Sequence, residues 1–376
     1  MELINYSDLT YPEVAGLPRH VPLVIPLGLG GYDYSWLAKT LQTERLVCLP
    51  AVPFGFQASV ESGLAHLAVD PGLFQRVMWG ICGELASQGF QQVYFVGERD
   101  DPQLKAGGLN FMVIPCNGAY QLQWPGELST RVVVVSTGHT EQHGYHLPLS
   151  TDSLIVQALA EQLVDTATEE VFCLPVWPYG VSTHTREFPG TLNLGGRVFE
   201  DFFLAIVDRL VSAGAGMIYF SNGHGGNHSF LVNVVKYAGE RHPTTFIATE
   251  WLHTTGPELQ LYRESKLGGM GHGGELETSY ILHLRPDLVH MDRATREVDF
   301  TSTPNYYMDW VEGGSLVANP PWTDDTASGI YGDATLATAE KGRLWLQAAV
   351  KQKRETIKEI QQQYHQRRDL RTDKEA

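Results

Sequence analysis

The chain has 376 residues, of which 43% are apolar and 19% charged, a composition typical of a folded protein with a large core. Its formal charge of −16 argues against nucleic acid and anionic membranes as partners, because both require a basic surface. The N-terminus has no basic start or apolar signal segment, and no apolar run of about eighteen residues follows, so we expect a cytoplasmic protein.

The first third of the chain alternates between predicted strands and predicted helices. Residues 22–31, 45–50 and 91–100 are largely apolar runs that predict strands, whereas residues 34–43 and 74–88 have helical periodicity. This alternation predicts an α/β fold with a mainly parallel sheet.

The alternation continues after a segment rich in Gly, Pro and Asn. We predict strands at residues 131–135, 216–220 and 244–251, with helices at 153–164 and 229–238 between them. Towards the C-terminus the pattern changes to a long ordered loop, then a long helix and a frayed polar tail. These three segments are residues 295–333, 334–363 and 367–376.

An internal repeat relates the two parts of the chain. CLPAVPFG at residues 48–55 returns as CLPVWPYG at residues 173–180, 125 positions later, and the same offset relates Phe74 to Phe199. A constant offset through strand, loop and helix predicts an internal duplication. We therefore divide the chain into two predicted domains.

The predicted domains differ in their polar loops. Residues 1–125 form a degenerate α/β half-repeat that keeps the apolar scaffold and lacks the candidate metal ligands of the second copy. Residues 126–376 form the predicted catalytic domain. The loop at residues 137–152, TGHTEQHGYHLPLSTD, is the clearest difference, because the first copy has only a short glycine loop there.

The loop at 137–152 follows a strand and precedes a helix, and in open α/β sheets ligands bind at the carboxyl ends of strands. Glu141, His143, His146 and Asp152 are oxygen and imidazole donors of the kind that hold zinc, manganese or iron. The alternative is a polar surface loop in which Asp152 caps the following helix.

Two further clusters, in which glycines flank the histidine, favour the metal interpretation. His224 lies in SNGHGGN, where a phosphate cradle is the competing interpretation. His272, Glu275 and Glu277 lie in GHGGELETS, where Glu275 or Glu277 could simply stabilise a helix start. Three such loops together favour one metal-centred hydrolytic site.

These motifs resemble those of the creatininase (creatinine amidohydrolase) family of metal-dependent hydrolases, which implies a three-layer α/β/α fold. The resemblance covers about residues 131–350, and residues 9–18 also look like the family's opening. It is carried by EQHGYHLPLSTD (141–152), REFPGT (186–191), SNGHGGN (221–227), GHGGELETS (271–279) and GIYGDATLATAEKG (329–342).

The resemblance implies roles for individual residues. It makes Glu141, Asp152 and His224 the ligands of one ion, and His143 with a bridging Asp152 the ligands of a second. Where creatinine-hydrolysing members have a glutamate that completes the second site, this chain has Gly226. Glu277 or water could fill that place, and one or two ions remain open.

The predicted activity is amide hydrolysis by metal-activated water, with His272 as the proton shuttle and Glu277 as the second catalytic residue. The alternatives are a peptide-trimming metallopeptidase and a catalytically inactive metal-binding scaffold. We expect a small-molecule substrate and leave a homo-oligomer open. The candidate substrate contacts are Trp177, His184, Arg186, Gly225 and Asn227.

Overall fold

The computed structural model describes residues 1–167, 170–253 and 256–375. Among these residues the strands are β1 (Glu2–Asn5), β2 (Leu23–Pro26), β3 (Arg45–Cys48), β4 (Val93–Gly97), β5 (Phe111–Val113), β6 (Val132–Thr137), β7 (Val171–Cys173), β8 (Met217–Asn222), β9 (Phe246–Thr249), β10 (Arg296–Glu297) and β11 (Gly332–Asp333). The helices are α1 (Tyr11–Ala15), α2 (Tyr34–Thr40), α3 (Pro71–Ser87), α4 (Pro102–Ala106), α5 (Thr151–Ala167), α6 (Gly196–Ser212), α7 (His228–Arg241), α8 (Gly256–Tyr262), α9 (Glu275–Leu284) and α10 (Ala339–Glu375).

Two parallel sheets organise the fold. The N-terminal sheet has the order β1-β3-β2-β4-β5 and the C-terminal sheet the order β7-β6-β8-β9. All pairings within both sheets are parallel. The predicted α/β class with parallel sheets is confirmed.

The central strands of the C-terminal sheet are apolar along nearly their whole length because both of their faces are covered. Every residue of β6 and β8 is buried. On one face, Val133, Val135 and Phe220 join the large core. On the other, Val134 and Tyr219 pack against Ile357 and Ile360 of α10. The sheet is therefore rigid where its carboxyl edge must position functional groups.

The two sheets are joined through helices α3 and α6, which have 17 residues each. Arg76 of α3 and Asp201 of α6 form a hydrogen-bonded ion pair at 3.0 Å. Beneath it, the rings of Phe54, Trp177 and Phe202 pack together with centroids 4.3 to 6.2 Å apart. This aromatic layer makes the interface part of the main core.

The prediction of a frayed tail at residues 367–376 was wrong, because α10 continues to Glu375. The Arg371 guanidinium donates to the carbonyl of Pro243 at 2.5 Å and to that of Thr244 at 3.5 Å, which fixes the last turns against the segment before β9. Although α10 is long, no helix among the described residues is both long and apolar enough to cross a membrane.

Candidate metal centre

The three polar loops meet at the carboxyl edge of the C-terminal sheet. Strands β6 and β8 pair in register up to Thr137 and Asn222, so the loops that follow them start side by side. The backbone amide of Gly223 donates to the Thr137 carbonyl at 2.9 Å. A Cβ at Gly138 would lie 2.4 Å from the Ser153 hydroxyl, so only glycine allows this close approach.

Glu141 is fully buried, and its two carboxylate oxygens have different surroundings. Oε1 accepts hydrogen bonds from the hydroxyls of Ser182 and Thr185, the latter at 2.7 Å. Oε2 accepts no further hydrogen bond among the described residues and lies 3.1 Å from Nδ1 of His224. The first oxygen fixes the side chain, and the second points into the centre.

Asp152 lies in the first turn of α5, with both oxygens directed at histidines. Its Oδ1 is 3.1 Å from Nε2 of His143, and its Oδ2 is 3.1 Å from Nδ1 of His224. The Nδ1 atom of His143 is 3.0 Å from the Glu141 carbonyl, which orients the ring with Nε2 towards Asp152. The carboxylate thus bridges two imidazoles from different loops.

His272 and Glu277 enter from the third cluster, at the start of α9. His272 donates from Nε2 to the Gln142 carbonyl at 2.7 Å, which leaves Nδ1 facing Oε2 of Glu141 at 3.8 Å. Glu277 accepts from the Gly273 amide at 2.6 Å and from Trp310 Nε1 at 3.1 Å. Its Oε2 lies 3.8 Å from Nε2 of His143.

Burial and the carboxylates divide the histidines into two classes. Burial alone lowers the pKa of His143, but the Asp152 carboxylate outweighs it and raises that pKa to about 9. Burial also lowers the pKa of His224, but the charges of Glu141 and Asp152 outweigh it and raise that pKa well above 6.5. Burial and the neighbouring His143 charge lower the pKa of His272 to about 3.

The donor set fits divalent ions. Among the described residues, Oε2 of Glu141 and Oδ2 of Asp152 are buried with no hydrogen-bond partner other than His224 Nδ1, which lies 3.1 Å from each. Such atoms cost free energy unless a cation or a proton satisfies them. The converging groups are consistent with a centre for two ions, and form three sets: His139, Glu141 and His224; Glu141, His143 and His272; His143, Asp152 and Glu277.

Sequence reasoning missed His139, Ser182 and Thr185. The Nδ1 atom of His139 accepts from the Gly180 amide at 2.8 Å, so the neutral ring carries its proton on Nε2. That Nε2 is buried and has no hydrogen-bond partner in the described part of the chain, and the ring centroid lies 4.5 Å from that of His224. The two-residue spacing between His139 and Glu141 was a usable signal, because alternate residues of an extended segment share a side.

The substrate-contact candidates fall in different places. His184 lies nearest to the centre, with Nε2 3.9 Å from Oε1 of Glu141 and its ring 4.3 Å from that of Trp322. Trp177 is fully buried in the aromatic core, because its loop turns towards α6. Arg186 points away from the centre and pairs with Glu84 of α3 at 2.8 Å.

The other two candidates belong to the turn after β8. Asn227 is a bridge between loops, since Oδ1 accepts from the Val181 amide at 3.0 Å and Nδ2 donates to the Gly138 carbonyl at 3.2 Å. Gly225 lies under the Trp310 ring, where an added Cβ would be 3.2 Å from the ring edge.

Gly226 has no room for a side chain. A Cβ there would lie 2.2 Å from the Val181 carbonyl oxygen and 2.5 Å from Nε2 of His224. Both atoms are fixed, because His224 Nε2 donates to that same carbonyl at 3.0 Å. The position that could have supplied another carboxylate is closed by the packing of this chain.

An α/β fold with buried His, Glu and Asp clusters at the carboxyl edge of a parallel sheet defines a class of metal-binding hydrolases. The family model described as creatininase, creatinine amidohydrolase, matches residues 124–357. The chain belongs to the creatininase family and is a hydrolase of that family. The N-terminal sheet lies outside the matched region.

Individual relatives agree with this assignment. The mycofactocin precursor peptide peptidase of Mycolicibacterium smegmatis is 33% identical over 218 residues, 56% of this chain and 78% of the relative. The creatinine amidohydrolase of Pseudomonas putida is 29% identical over 243 residues, 61% and 89% of the two chains. A manganese creatininase structure aligns with a TM-score of 0.53 at 26% identity, over 61% of this chain and 91% of that one.

Proposed function

We propose that the protein is a metal-dependent amidohydrolase that cleaves a C–N bond of a small molecule with water. The observation that carries this proposal is the convergence of two buried carboxylate oxygens, Glu141 Oε2 and Asp152 Oδ2, on His224 Nδ1, with no other hydrogen-bond partner among the described residues. A buried pocket of carboxylates and imidazoles is the donor set that zinc, manganese and iron enzymes use.

We assign two ion positions that share Asp152. Glu141, Asp152 and His224 surround the first. His143, Asp152 and Glu277 surround the second, and their ligand atoms lie within 4.8 Å of one another. Glu277 supplies the carboxylate ligand for which the packing at Gly226 leaves no room. The manganese in a related creatininase structure makes manganese the first ion to test, with zinc and iron next.

The ions, when bound, supply Lewis acidity and lower the pKa of water. His272 moves the proton, because its Nε2 is committed to the Gln142 carbonyl and its neutral Nδ1 faces the centre. Ser182 and Thr185 hold Glu141 in orientation through Oε1. We assign the turn that starts at Gly225 to the developing negative charge of the reacting carbonyl.

Substrate reaches this centre beside a covering segment, residues 295–333. Trp322 of this segment packs against the rings of His184 and His272, with centroids 4.3 and 5.0 Å apart. His184 keeps 17% of its side chain exposed although it lies next to the buried Glu141. We assign His184 as a substrate contact, suited to a hydrogen-bonding group on a small planar amide.

A peptide-trimming activity is the second candidate, and the 33% identity to a mycofactocin precursor peptide peptidase favours it. Both activities hydrolyse an amide, so the same ion positions and His272 serve either one. They differ in the substrate that the covering segment admits. An inactive scaffold would bind ions without hydrolysing any amide.

The test combines ion content with a substrate panel. We expect about two manganese or zinc ions per chain by mass spectrometry of the native protein, and hydrolysis of one member of a panel of cyclic amides, formamides and short peptides. Glu141→Gln and Asp152→Asn should each lose ion and activity, whereas Glu44→Gln, an exposed control, should lose neither. Full ion content in both site variants would refute the ligand assignment.

We also propose that residues 1–125 and 126–376 descend from one duplicated unit. The order β3-β2-β4-β5 has the same form as β7-β6-β8-β9, and α3 and α6 begin at positions 71 and 196, 125 apart. Arg209 donates to the His66 carbonyl and Gln88 donates to the Thr191 carbonyl, so the two accepting positions are 125 apart. The ion pair between Arg76 and Asp201 joins two positions that are themselves 125 apart, as a contact near a two-fold axis does.

The N-terminal unit then covers, within one chain, a helix face that a second subunit would otherwise cover. Sedimentation tests this idea, with a monomer as the expected result. A stable homo-oligomer joined through the same α3 and α6 faces would contradict it, since those faces are already buried against each other.

A further inference from the structure

The covering segment, residues 295–333, contacts the metal centre through Trp310. The indole Nε1 of Trp310 donates to Oε1 of Glu277 at 3.1 Å. The other oxygen of that carboxylate, Oε2, accepts from the Gly273 amide at 2.6 Å and lies 3.8 Å from Nε2 of His143. Trp310 thus holds one oxygen of Glu277 while the other faces the second ion position.

The Glu277 carboxylate needs such a donor to keep one orientation. The last torsion angle of a glutamate has only broad preferences, so the carboxylate turns easily unless hydrogen bonds hold it. Among the described residues, the hydrogen bonds to Glu277 come from the Gly273 amide and the Trp310 indole. Loss of a donor that orients a metal-binding side chain typically weakens ion binding about 10- to 100-fold.

The two ion positions depend on the covering segment to different degrees. At the first position, Glu141 is held by the hydroxyls of Ser182 and Thr185, which belong to the loop after β7. At the second position, Glu277 is held by an indole of the covering segment. A change in Trp310 should therefore act on the second ion and spare the first.

Contacts on both sides of its backbone fix Trp310 in place. Its amide donates to the Met270 carbonyl at 2.7 Å, and its carbonyl accepts from Trp251 Nε1 at 3.1 Å. Its ring lies against the turn at Gly225, where an added Cβ would be 3.2 Å away. These contacts direct the indole N–H at Glu277.

The neighbouring Asp309 anchors this part of the covering segment. Arg263 donates to it from both terminal nitrogens, at 2.5 and 3.2 Å, and the Gly268 amide donates to it at 2.8 Å. The Arg263 and Asp309 side chains are 5% and 0% exposed. Such a buried pair gains little net stability, because both charges lose water, but its two parallel hydrogen bonds define a geometry.

On the basis of the two ion positions assigned under the proposed function, we propose that Trp310 is a positioning residue that sets the affinity of the second ion. The indole N–H keeps Oε2 of Glu277 turned towards His143. The ion pair of Arg263 and Asp309 acts through Trp310 by keeping the indole in place. The covering segment thereby contributes to ion binding as well as to substrate access.

The experiment is calorimetric titration of the full-length, metal-free protein with manganese. His143→Gln identifies the binding step of the second ion, because it removes a ligand of that position. Trp310→Phe keeps an aromatic ring against the Gly225 turn and removes the N–H. We expect the second ion to bind about tenfold or more weakly in Trp310→Phe, and the first ion to bind with unchanged affinity.

Trp345→Phe is the matched control. Trp345 is fully buried, and its Nε1 also donates at 3.1 Å, but to the Leu259 carbonyl. This variant should lose stability in urea and keep the affinity of both ions. Unchanged second-ion affinity in folded Trp310→Phe would overturn the proposal and leave the two ion positions intact. Binding of a single ion by the unaltered chain would overturn both.

Asp309→Asn tests whether the ion pair acts through Trp310. The substitution weakens the contact with Arg263, so it should weaken binding of the second ion. In the Trp310→Phe background the same substitution should cause no further loss, because the indole N–H through which it acts is already absent. Losses that add in the double variant would overturn this role of the ion pair.

The unaltered chain offers a test that needs no substitution. Coupling is reciprocal, so an ion that depends on this part of the segment must also stabilise it. The amides of Val311 and Glu312 donate to Asp309 at 3.0 and 3.4 Å. Their hydrogen exchange, followed by mass spectrometry, should slow when the second equivalent of manganese is added. Exchange that does not respond to the second equivalent would overturn the proposal.

Discussion

The Arg186 guanidinium donates to the Glu84 carboxylate at 2.8 Å, and so ties a loop of the C-terminal sheet to helix α3. Burial raises the pKa of Glu84, and the Arg186 charge opposes that rise. The Glu84 side chain is only 10% exposed, so water compensates little of its charge and the Arg186 guanidinium compensates most of it. Arg186 thereby stabilises the join between the two sheets.

The first prediction concerns this ion pair. Arg186→Ala should lower the free energy of unfolding by about 1 kcal/mol, a value reduced by solvent screening because half of the arginine side chain is exposed. Urea unfolding measures the loss. Arg197→Ala, at a side chain that is 92% exposed, is the control and should have almost no effect. Unchanged stability with a much higher KM would instead make Arg186 a substrate contact.

The second prediction is proton release on ion binding. With pKa values of about 9 for His143 and well above 6.5 for His224, both imidazoles carry protons at pH 7 in the metal-free chain. An ion requires the neutral ring, so two ions should displace about two protons, and affinity should rise as pH increases from 7 towards 9.

Calorimetry in buffers of different ionisation heat counts these protons. His143→Gln should release about one proton fewer. Binding heats that do not depend on the buffer would contradict the charge states. Because both folded pKa values are raised, the same groups stabilise the metal-free fold below pH 6.5, and that stabilisation is lost as pH rises through about 9 for His143.

The third prediction concerns Gly226. Gly226→Ala places a Cβ against the Val181 carbonyl and His224 Nε2, so the histidine must move. We expect a loss of about 2 kcal/mol in stability and a lower content of bound ion. Gly239→Ala is the matched control, since no described residue lies within 4 Å of that Cβ and alanine favours the helical conformation of α7. Normal ion content in Gly226→Ala would refute the crowding argument.

Much of the centre could be predicted from sequence because its donors lie in short motifs that directly follow strands. Glu141, His143 and Asp152 lie in one loop, so the chain direction of β6 already brings them to the carboxyl edge of the sheet. The parallel α/β class followed from the alternation of strands and helices. Local patterns suffice where neighbouring residues in the chain are also neighbours in space.

The orientations of Trp177 and Arg186 could not be predicted in this way. Both lie on the loop after β7, but their directions depend on α6 and α3, which pack there from distant parts of the chain. The end of α10 depends likewise on Arg371 reaching the segment before β9. These features are set by tertiary contacts that no local periodicity encodes.

The last prediction concerns the loss of folding stability at acidic pH. Lys341 on α10 donates to Glu275 Oε1 at 2.7 Å, and the amides of Glu264 and Ser265 donate to the same carboxylate at 3.0 and 2.9 Å. Burial alone would raise the pKa of Glu275, but these hydrogen bonds outweigh it and hold that pKa below 4.5. The carboxylate therefore contributes stability above pH 4.5 that is lost as pH falls through its lowered pKa.

Lys341→Met leaves a buried carboxylate without its cation, so it should lower the free energy of unfolding by about 3 kcal/mol at pH 7. The pKa of Glu275 rises in the variant, so the stability of the variant should fall less steeply with acid, and the difference between the two proteins should shrink as pH falls towards the lowered pKa of Glu275 in the unaltered chain. Denaturant unfolding at several pH values measures both curves. Lys351→Met, at an exposed lysine of the same helix, should follow the unaltered chain at every pH. A difference between Lys341→Met and the unaltered chain that stays constant from pH 7 to 4 would show that Glu275 is not the group that titrates.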